Sequence, residues 1–351
     1  MAEYNSFDKV LHRQFLGNNS LSNFLYERLL QKSSLSSTSY DTPHIFITGL
    51  ARSGTTALLN KIYSTGDFSS FLYKHMPFIL SPTLVSYYSK LTNQQVSPPV
   101  ERSHNDGILF GSNSPECLDE IFWIKSSANW YHEPTLTVSS PTDTHTNAYS
   151  YLLNRFSQIQ SGKRMLVKNN NNHLRLLTLS RNLPNSTFIV LFRDPIIHAQ
   201  SLLNQHLNFS KLHHKQPFTL EYMNLLGHRE FGRNLAPFVY PYPSKNKHLK
   251  LLPTSLSYWL SQWLSTYLWI LSLPLTSLGN IKLVCYEDLC TNPNVYHLLC
   301  NDNQIKTNSS GQSFRLGNSQ VSKETTSSID PLLYEESRDL YSSLCLASSY
   351  K

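Results

Sequence analysis

The sequence predicts an α/β fold in which helices cover both faces of a central parallel sheet, giving three αβα layers with helical insertions. Three observations lead to this fold class. Short apolar runs that suit buried strands occur at 44–48, 188–192 and 281–285. Helical patterns separate these runs, which is the alternation typical of a parallel sheet. A glycine-containing turn joins the first run directly to a helical pattern at 55–63.

The remaining elements follow in chain order. Residues 7–31 predict an N-terminal helix, and the serine-rich stretch 33–39 predicts a linker. We expect further strands at 68–73 and 165–167, and a helix at 173–181. The chain is interpreted as one domain with three parts: a helical segment and linker at 1–43, an α/β core at 44–293 with a loop and helix insertion at 205–250, and a C-terminal segment at 294–351.

Composition limits the function classes. The 351 residues contain 30 Lys plus Arg against 23 Asp plus Glu, a net charge of +7. A basic cleft that attracts a multiply negative small molecule would account for part of this excess. Nucleic-acid binding is not expected, because no run of five or more basic residues occurs. The aromatic stretch 259–275 is interrupted by polar residues, which favours a buried helix over a membrane span.

Cysteine usage and the N-terminus indicate a cytoplasmic protein. The five cysteines form an odd set without a Cys-x-x-Cys pair, which suits a reducing compartment. No Cys/His spacing matches a zinc site, so we expect no metal. The first seven residues lack the basic and apolar regions of a signal peptide, and none is expected.

The segment 49–56, Gly-Leu-Ala-Arg-Ser-Gly-Thr-Thr, is the main motif of the chain. A strand that feeds a tight glycine loop opening a helix directs several backbone N–H groups at one anion. In nucleoside triphosphatases the residue after the second glycine is lysine. Here that position is Thr55, and Arg52 lies two residues before Gly54. The loop therefore predicts an anion site for a ligand other than ATP or GTP.

A second motif begins with the strand at 188–192. Arg193 follows this strand at its carboxyl end, where ligands bind in open α/β sheets. Pro195 ends the strand, and Ser201 is placed about two turns into the next helix. The alternative is that Arg193 and Asp194 form a structural ion pair.

Together these motifs resemble those of the sulfotransferase family that uses 3′-phosphoadenylyl sulfate (PAPS) as donor and releases 3′,5′-adenosine bisphosphate (PAP). The third match is Tyr-Glu-Asp-Leu at 286–289, so the resemblance spans roughly 44–293. It implies a P-loop-containing nucleotide-binding fold and these donor contacts: Arg52, Ser53, Gly54, Thr55 and Thr56 for the 5′-phosphosulfate, Arg193 and Ser201 for the 3′-phosphate, and Tyr286 near the adenine.

The chain departs from the family pattern in two places. The tryptophan that some cytosolic members carry after the loop is absent, since residues 57–59 are Ala-Leu-Leu. The late Arg-Lys-Gly element of those members is matched only in part by Arg315, for which a plain surface arginine is the alternative. The sequence is therefore closer to the broader prokaryotic and carbohydrate-type branch than to the small-molecule cytosolic branch.

The resemblance implies in-line transfer of a sulfuryl group from PAPS to a hydroxyl or amine, without a metal. Arg52 would hold the leaving phosphate, with Thr55 and Thr56 adding hydroxyl donors. Lys168 is expected to neutralise the sulfonate or the acceptor side, or else to be a solvated strand-end lysine. Glu116 is either a substrate contact or a first-turn helix residue. The acceptor, a small molecule or carbohydrate, is not identified.

The catalytic base has two candidates. His104 ranks first, because its ordinary pKa suits proton abstraction and Asp106 or Glu101 would orient it; a salt-bridged surface turn is the alternative. His75 ranks second, at the end of the predicted second strand. Two other function classes stay open, a P-loop kinase or nucleoside triphosphatase and a non-catalytic nucleotide-binding protein.

Overall fold

The computed structural model describes residues 6–36, 42–91, 100–101, 109–127, 133–242, 246–307, 314–316 and 329–351. The strands are β1 Ile45–Thr48, β2 Val100–Glu101, β3 Leu109–Phe110, β4 Leu136–Thr137, β5 Leu166–Lys168, β6 Thr187–Phe192, β7 Phe238–Val239 and β8 Ile281–Cys285. The α-helices are α1 Ser6–His12, α2 Asn19–Ser34, α3 Thr55–Tyr63, α4 Pro82–Leu91, α5 Glu120–Ser126, α6 Asp143–Ile159, α7 Leu176–Asn182, α8 Pro195–Lys215, α9 Pro217–Leu226, α10 Leu256–Leu271, α11 Leu275–Leu278, α12 Tyr286–Thr291, α13 Pro293–Asp302 and α14 Pro331–Leu346.

Four parallel strands form the central sheet in the order β5-β1-β6-β8. In register, Ile47 lies opposite Lys168, and Phe192 lies opposite Cys285. The carboxyl ends of the strands therefore meet at one edge, which is where ligands bind in such sheets. The predicted α/β class with a parallel sheet is confirmed.

Alternate residues along the strands enter two separate cores, so the molecule has three layers. Phe46 and Phe188 stack at 4.7 Å in the larger core, which also contains residues of α2, α6, α8 and α10. Ile47 and Ile189 belong to the smaller core, with residues of α3, α12 and α13. This alternation is the period of two expected of strands that are covered on both faces.

Three element predictions need correction. The N-terminal helix is broken: a π-helical turn at Arg13–Gly17 separates α1 from α2, and the Asn18 side chain caps α2 by accepting from the Leu21 N–H. Residues 68–73 form isolated bridges, Ser69 with Met165 and Leu72 with Pro115, in place of a strand. The start of the predicted helix at 173–181 lies in a 3-10 turn, Asn170–Leu174, that precedes α7.

The aromatic stretch is a buried helix, as predicted. Trp259, Trp263 and Tyr267 of α10 are completely buried. Among the residues that the structure describes, no helix is long and apolar enough to cross a membrane. The insertion that starts within α8 continues through α9 to β7, which pairs in parallel with β4. All five cysteines are free thiols.

Candidate functional site

The loop between β1 and α3 has the backbone geometry of an anion cradle. Gly49 and Gly54 take positive φ angles of 126° and 99°. A Cβ atom at Gly49 would lie 2.4 Å from the carbonyl oxygen of Leu191. Gly54 caps α3 without a side-chain hydrogen bond, so the N–H groups of the first helical turn are available to an anion.

Ser53 has an unsatisfied hydroxyl at the floor of this loop. Its side chain is completely buried, and its Oγ has no hydrogen-bond partner among the described residues. Leaving a buried hydroxyl unpaired costs about 1–3 kcal/mol. An oxygen of an anionic ligand in the cradle would satisfy it, so the residues present fit a phosphate or phosphosulfate group.

Arg52 connects the loop to two residues that are distant in sequence. It has a φ of 70°, in the left-handed region that side-chain-bearing residues seldom adopt. Its Nε donates to Oγ of Ser201 on α8 at 3.3 Å. Its carbonyl oxygen accepts from Nη1 of Arg193 at 3.1 Å. The structure thus brings together Arg52, Arg193 and Ser201, the three residues assigned to the two ends of the donor.

His198 on α8 also holds the loop, and the sequence analysis gave it no role. Its Nε2 donates to the carbonyl oxygen of Ala51 at 2.8 Å. Burial, together with the charges of Arg193 and Arg52, lowers the pKa of His198 to about 3. The ring is therefore a neutral structural donor. The sequence could have indicated this role, because His198 lies one helical turn before Ser201 on the same predicted helix.

Arg193 and Asp194 have separate partners, so the alternative of a simple Arg193–Asp194 pair is wrong. Arg193 is 8 % exposed, and its Nε lies 3.7 Å from Oε1 of Glu287. The same Oε1 accepts from the Asp194 N–H at 3.2 Å. The Asp194 side chain caps α8 and pairs with Arg338 on α14. Glu287 therefore holds the turn that carries Arg193.

Tyr286 packs directly on the loop. A Cβ atom at Gly54 would lie 2.2 Å from the Tyr286 ring, and the Arg193 guanidinium is centred 5.4 Å from the ring centroid. The Tyr286 hydroxyl donates to the carbonyl oxygen of Arg315 at 3.2 Å. Arg315 thus lies at the site through its backbone, and its side chain is exposed.

Thr55, at the position of the missing lysine, is committed to structure. It is 3 % exposed, and its Oγ1 donates to Oδ1 of Asn170 at 3.1 Å. Oγ1 of Thr48 donates to the backbone carbonyl of the same asparagine at 3.1 Å. The expectation that the Thr55 hydroxyl is a ligand donor is not supported, because that hydroxyl already has an acceptor in Asn170. Thr56 is partly exposed on the first turn of α3.

Lys168, the last residue of β5, forms an ion pair. Its Nζ lies 3.2 Å from Oε1 of Glu116, with side-chain exposures of 7 % and 13 %. Oε2 of Glu116 accepts from the Tyr73 hydroxyl at 3.1 Å. Lys168 is therefore a buried, paired lysine. Glu116 precedes α5, which begins at Glu120, so it is not a first-turn helix residue.

Of the two candidates for the catalytic base, the structure describes only His75. His75 is 1 % exposed, its Nδ1 accepts from the Leu72 N–H at 3.0 Å, and its ring packs against Phe156. Burial lowers the pKa of His75 to about 3. His75 therefore cannot reach an acceptor, and we drop it as a base. His104 and Asp106 lie outside the described residues.

No group of three or more His, Cys, Asp or Glu side chains that would hold a metal ion occurs in the part of the chain that the structure describes. The basic groups near the loop are arginines and a lysine, which bind anions. The site therefore has the chemistry of an anion-binding cleft.

A family model described as "Sulfotransferase family" matches residues 43–230. A search of curated protein sequences found no significant match.

Solved structures similar to this chain include a sulfotransferase from Alicyclobacillus acidocaldarius, with 14% identity and a TM-score of 0.42, covering 86% of this chain and 96% of that one. A second is a sulfotransferase from Mycobacterium tuberculosis H37Rv, with 11% identity and a TM-score of 0.44, covering 97% of this chain and 88% of that one. A third is a sulfotransferase from Mycobacterium avium, with 13% identity and a TM-score of 0.43, covering 88% of this chain and 76% of that one. Because these identities and TM-scores are low, we take no site residue or activity from the three structures.

Proposed function

The chain belongs to the sulfotransferase family, and on this premise we propose that it transfers the sulfuryl group of PAPS to a hydroxyl or amine of an acceptor, with PAP as product. The donor carries anionic groups at two places, the 5′-phosphosulfate and the 3′-phosphate. Binding it requires two cationic positions in one cleft.

The observation that carries this proposal is the double contact of Arg52. Its side chain donates to Ser201 at 3.3 Å, and its carbonyl oxygen accepts from Arg193 at 3.1 Å. Arg52 and the N–H groups of 54–56 would hold the 5′ side, with the unsatisfied Ser53 hydroxyl as a further donor. The Ser53 N–H already donates to the Leu50 carbonyl oxygen at 3.2 Å. Arg193 and Ser201 would hold the 3′-phosphate, and Tyr286 with the Arg315 backbone would border the adenine.

The chain's own residues act on the reaction through charge and alignment. Bound PAPS supplies a sulfuryl group with a phosphate as leaving group. Arg52 and the start of α3 stabilise the charge that develops on that phosphate. Lys168 is the last residue of the neighbouring strand β5, on the side where we expect the acceptor. Since positioning of the two reacting oxygens contributes much of the rate in such displacements, the rigid anchoring of this edge by His198 and Glu287 supports transfer.

A kinase or nucleoside triphosphatase and a non-catalytic nucleotide-binding protein are the alternatives. The phosphate-bridging lysine of nucleoside triphosphatases has no counterpart, because Thr55 occupies its position and donates to Asn170. Thermal unfolding with PAP and with ATP tests the donor, and we expect PAP to raise the melting temperature. A ligand present at one hundred times its Kd stabilises the folded state by about 2.7 kcal/mol. Stabilisation by ATP without stabilisation by PAP would overturn the proposal.

The acceptor is a small molecule or carbohydrate in this proposal, and residues 206–242 are expected to border its pocket. Within this region Tyr222 and Phe231 are buried in the core, whereas the His228 side chain is 21% exposed. Screening sugars, phenols and aliphatic alcohols with ³⁵S-labelled PAPS would identify the class. Binding of PAP without transfer to any acceptor or to water would favour the non-catalytic alternative. Cytoplasmic location, suggested by the five cysteines, stays a prediction.

A further inference from the structure

The strand order divides the candidate site into two sides. Arg193 and Tyr286 follow β6 and β8 on one side of β1, and Lys168 ends β5 on the other side. Under the proposed function, the nucleotide occupies the β6 and β8 side. The acceptor then approaches over the end of β5.

Two pairs of ionisable side chains lie near the end of β5. Lys168 and Glu116 form one pair at 3.2 Å. His228 and Glu230 form the other, with Nδ1 and Oε1 3.6 Å apart. The charges of Lys168 and Glu116 both act on the pKa of His228, so the two pairs are neighbours. We call these four residues, Lys168, Glu116, His228 and Glu230, the β5 cluster.

Glu116 is poorly suited to accept a proton. Its Oε1 accepts from the Cys117 N–H at 2.8 Å and faces Lys168, and its Oε2 accepts from Tyr73. Hydrogen bonds and a nearby cation favour the ionised carboxylate and weaken it as a base. We therefore infer that Glu116 holds Lys168 in place and is not the base.

His228 is held in place but keeps one nitrogen available. It follows Gly227, which ends α9 in the left-handed conformation, and its N–H donates to the Met223 carbonyl at 2.9 Å. Arg229 anchors the next position by donating to the Glu133 carbonyl at 2.9 Å. Nδ1 faces Glu230, whereas no described residue bonds to Nε2, and the side chain is 21% exposed.

The pKa of His228 is shifted in the opposite direction from the pKa values of the buried histidines. Burial lowers the pKa of His75, His173 and His198 to about 3. Burial also acts to lower the pKa of His228, but Glu230, with help from Glu116, outweighs both burial and Lys168 and raises it. A histidine whose pKa is raised by a neighbouring carboxylate is suited to proton transfer.

We propose that His228 is the general base of the transfer and that Glu230 positions its ring. This inference rests on the proposed function. Nε2 of His228 takes the proton of the acceptor hydroxyl, and the electron pair of that oxygen forms the new S–O bond. The bond from sulfur to the bridging oxygen breaks, and its electron pair stays on the phosphate of PAP. The Glu230 carboxylate stabilises the imidazolium, which then releases the proton to solvent.

His228→Asn in the full chain tests the assignment, with ³⁵S-labelled PAPS as donor. Water serves as acceptor in one arm, which needs no identified substrate, and acceptors from the screen serve in the other. We expect kcat to fall by about 10²- to 10⁴-fold, the usual contribution of a general base. The Kd for PAP should stay unchanged, because the β6 and β8 side is intact. His214→Asn, on an exposed position of α8, is the matched control.

The pH profile separates a base from a merely structural residue. Since only neutral His228 accepts a proton, kcat should rise with pH through the raised pKa of this group. Glu230→Gln removes the main cause of the increase, so the limb should move to lower pH. Replacing Lys168 by Met should move it to higher pH. Nuclear magnetic resonance titration of the His228 ring measures the same pKa without turnover.

Each result has a defined meaning. Normal kcat in His228→Asn overturns the inference, as does a pH limb that Glu230→Gln leaves in place. Loss of turnover in His104→Asn together with normal turnover in His228→Asn would assign the base to His104. If His228→Asn fails to fold, the Glu230→Gln profile decides. Failure of the wild-type chain to bind PAP would refute the proposed function instead.

Discussion

Nη1 of Arg193 donates to the carbonyl oxygen of Arg52 at 3.1 Å, so the end of β6 is bonded to the anion loop that follows β1. The contact uses a guanidinium that is 8 % exposed and whose Nε lies 3.7 Å from Oε1 of Glu287. It also supports the left-handed backbone of Arg52. Charge and loop geometry therefore depend on the same side chain.

Arg193→Ala is expected to weaken PAP binding about 10- to 100-fold, because a hydrogen bond to a charged group contributes about 1.5–3 kcal/mol. Isothermal titration calorimetry at fixed ionic strength measures this change. Arg181→Ala provides the control, since Arg181 is an exposed arginine at the end of α7. Equal Kd values for the two variants would exclude Arg193 from the donor site.

Gly54→Ala is expected to destabilise the loop by more than the backbone strain of a side chain at positive φ alone. Its Cβ atom would meet the Tyr286 ring at 2.2 Å, at a φ of 99°. Gly66 provides the matched control, with a φ of 77° and nothing within 4 Å of the added atom. Gly66→Ala should cost only the backbone term, about 1–2 kcal/mol.

Urea unfolding and PAP titration measure the two glycine variants. Gly54→Ala should lose clearly more stability than Gly66→Ala and should also lose PAP affinity, while Gly66→Ala should bind PAP normally. Equal losses in the two proteins would mean that Tyr286 does not pack on the loop as described.

Local motifs were enough to predict the fold and to locate the loop and arginines on which the donor-site proposal rests. The anion loop follows from glycines next to a strand and a helix, which are contiguous in sequence. Arg193 and Ser201 follow from the ends of one strand and one helix. Their contact with Arg52 follows from the parallel sheet, because β1 and β6 are neighbours and their carboxyl ends coincide.

The residues that hold this site were harder to predict, because their partners lie far away in sequence. Asn170 belongs to an asparagine run without periodicity, and its contact with Thr55 depends on β5 lying beside β1. Glu287 was visible within a motif, but its bonds to Asp194 and Arg193 require β8 beside β6. His75 was a candidate base from its place after a predicted strand, but that segment is irregular and the His75 ring is buried.

The ion pair between Arg175 and Glu120 gives a prediction about stability alone. The pair is buried, with side-chain exposures of 2% and 0%, and the atoms are 2.8 Å apart. Breaking such a pair leaves an uncompensated buried charge and costs about 3–5 kcal/mol. Glu120→Gln should therefore lose much of the free energy of unfolding in urea.

Glu221→Gln is the matched control for this pair. Glu221 pairs with Arg13 at 2.6 Å, but the side chains are 37% and 53% exposed. Exposed pairs contribute about 0–1 kcal/mol, so this variant should unfold almost like the wild type. Similar losses in the two variants would contradict the described burial of Glu120.

Thr55→Val tests whether the residue at the lysine position serves structure. Valine preserves the shape but removes the hydroxyl that donates to Oδ1 of Asn170 at 3.1 Å, and so leaves a partly buried acceptor without that donor. We expect a loss of about 0.5–1.5 kcal/mol in the free energy of unfolding, the usual net contribution of one hydrogen bond. Thr55→Ser keeps the hydroxyl and should recover most of that loss. Under conditions in which each variant is fully folded, its affinity for PAP should change little, because the cradle is formed by backbone N–H groups and Arg52. A valine variant as stable as the wild type but unable to bind PAP would reverse this assignment and make the Thr55 hydroxyl a ligand donor.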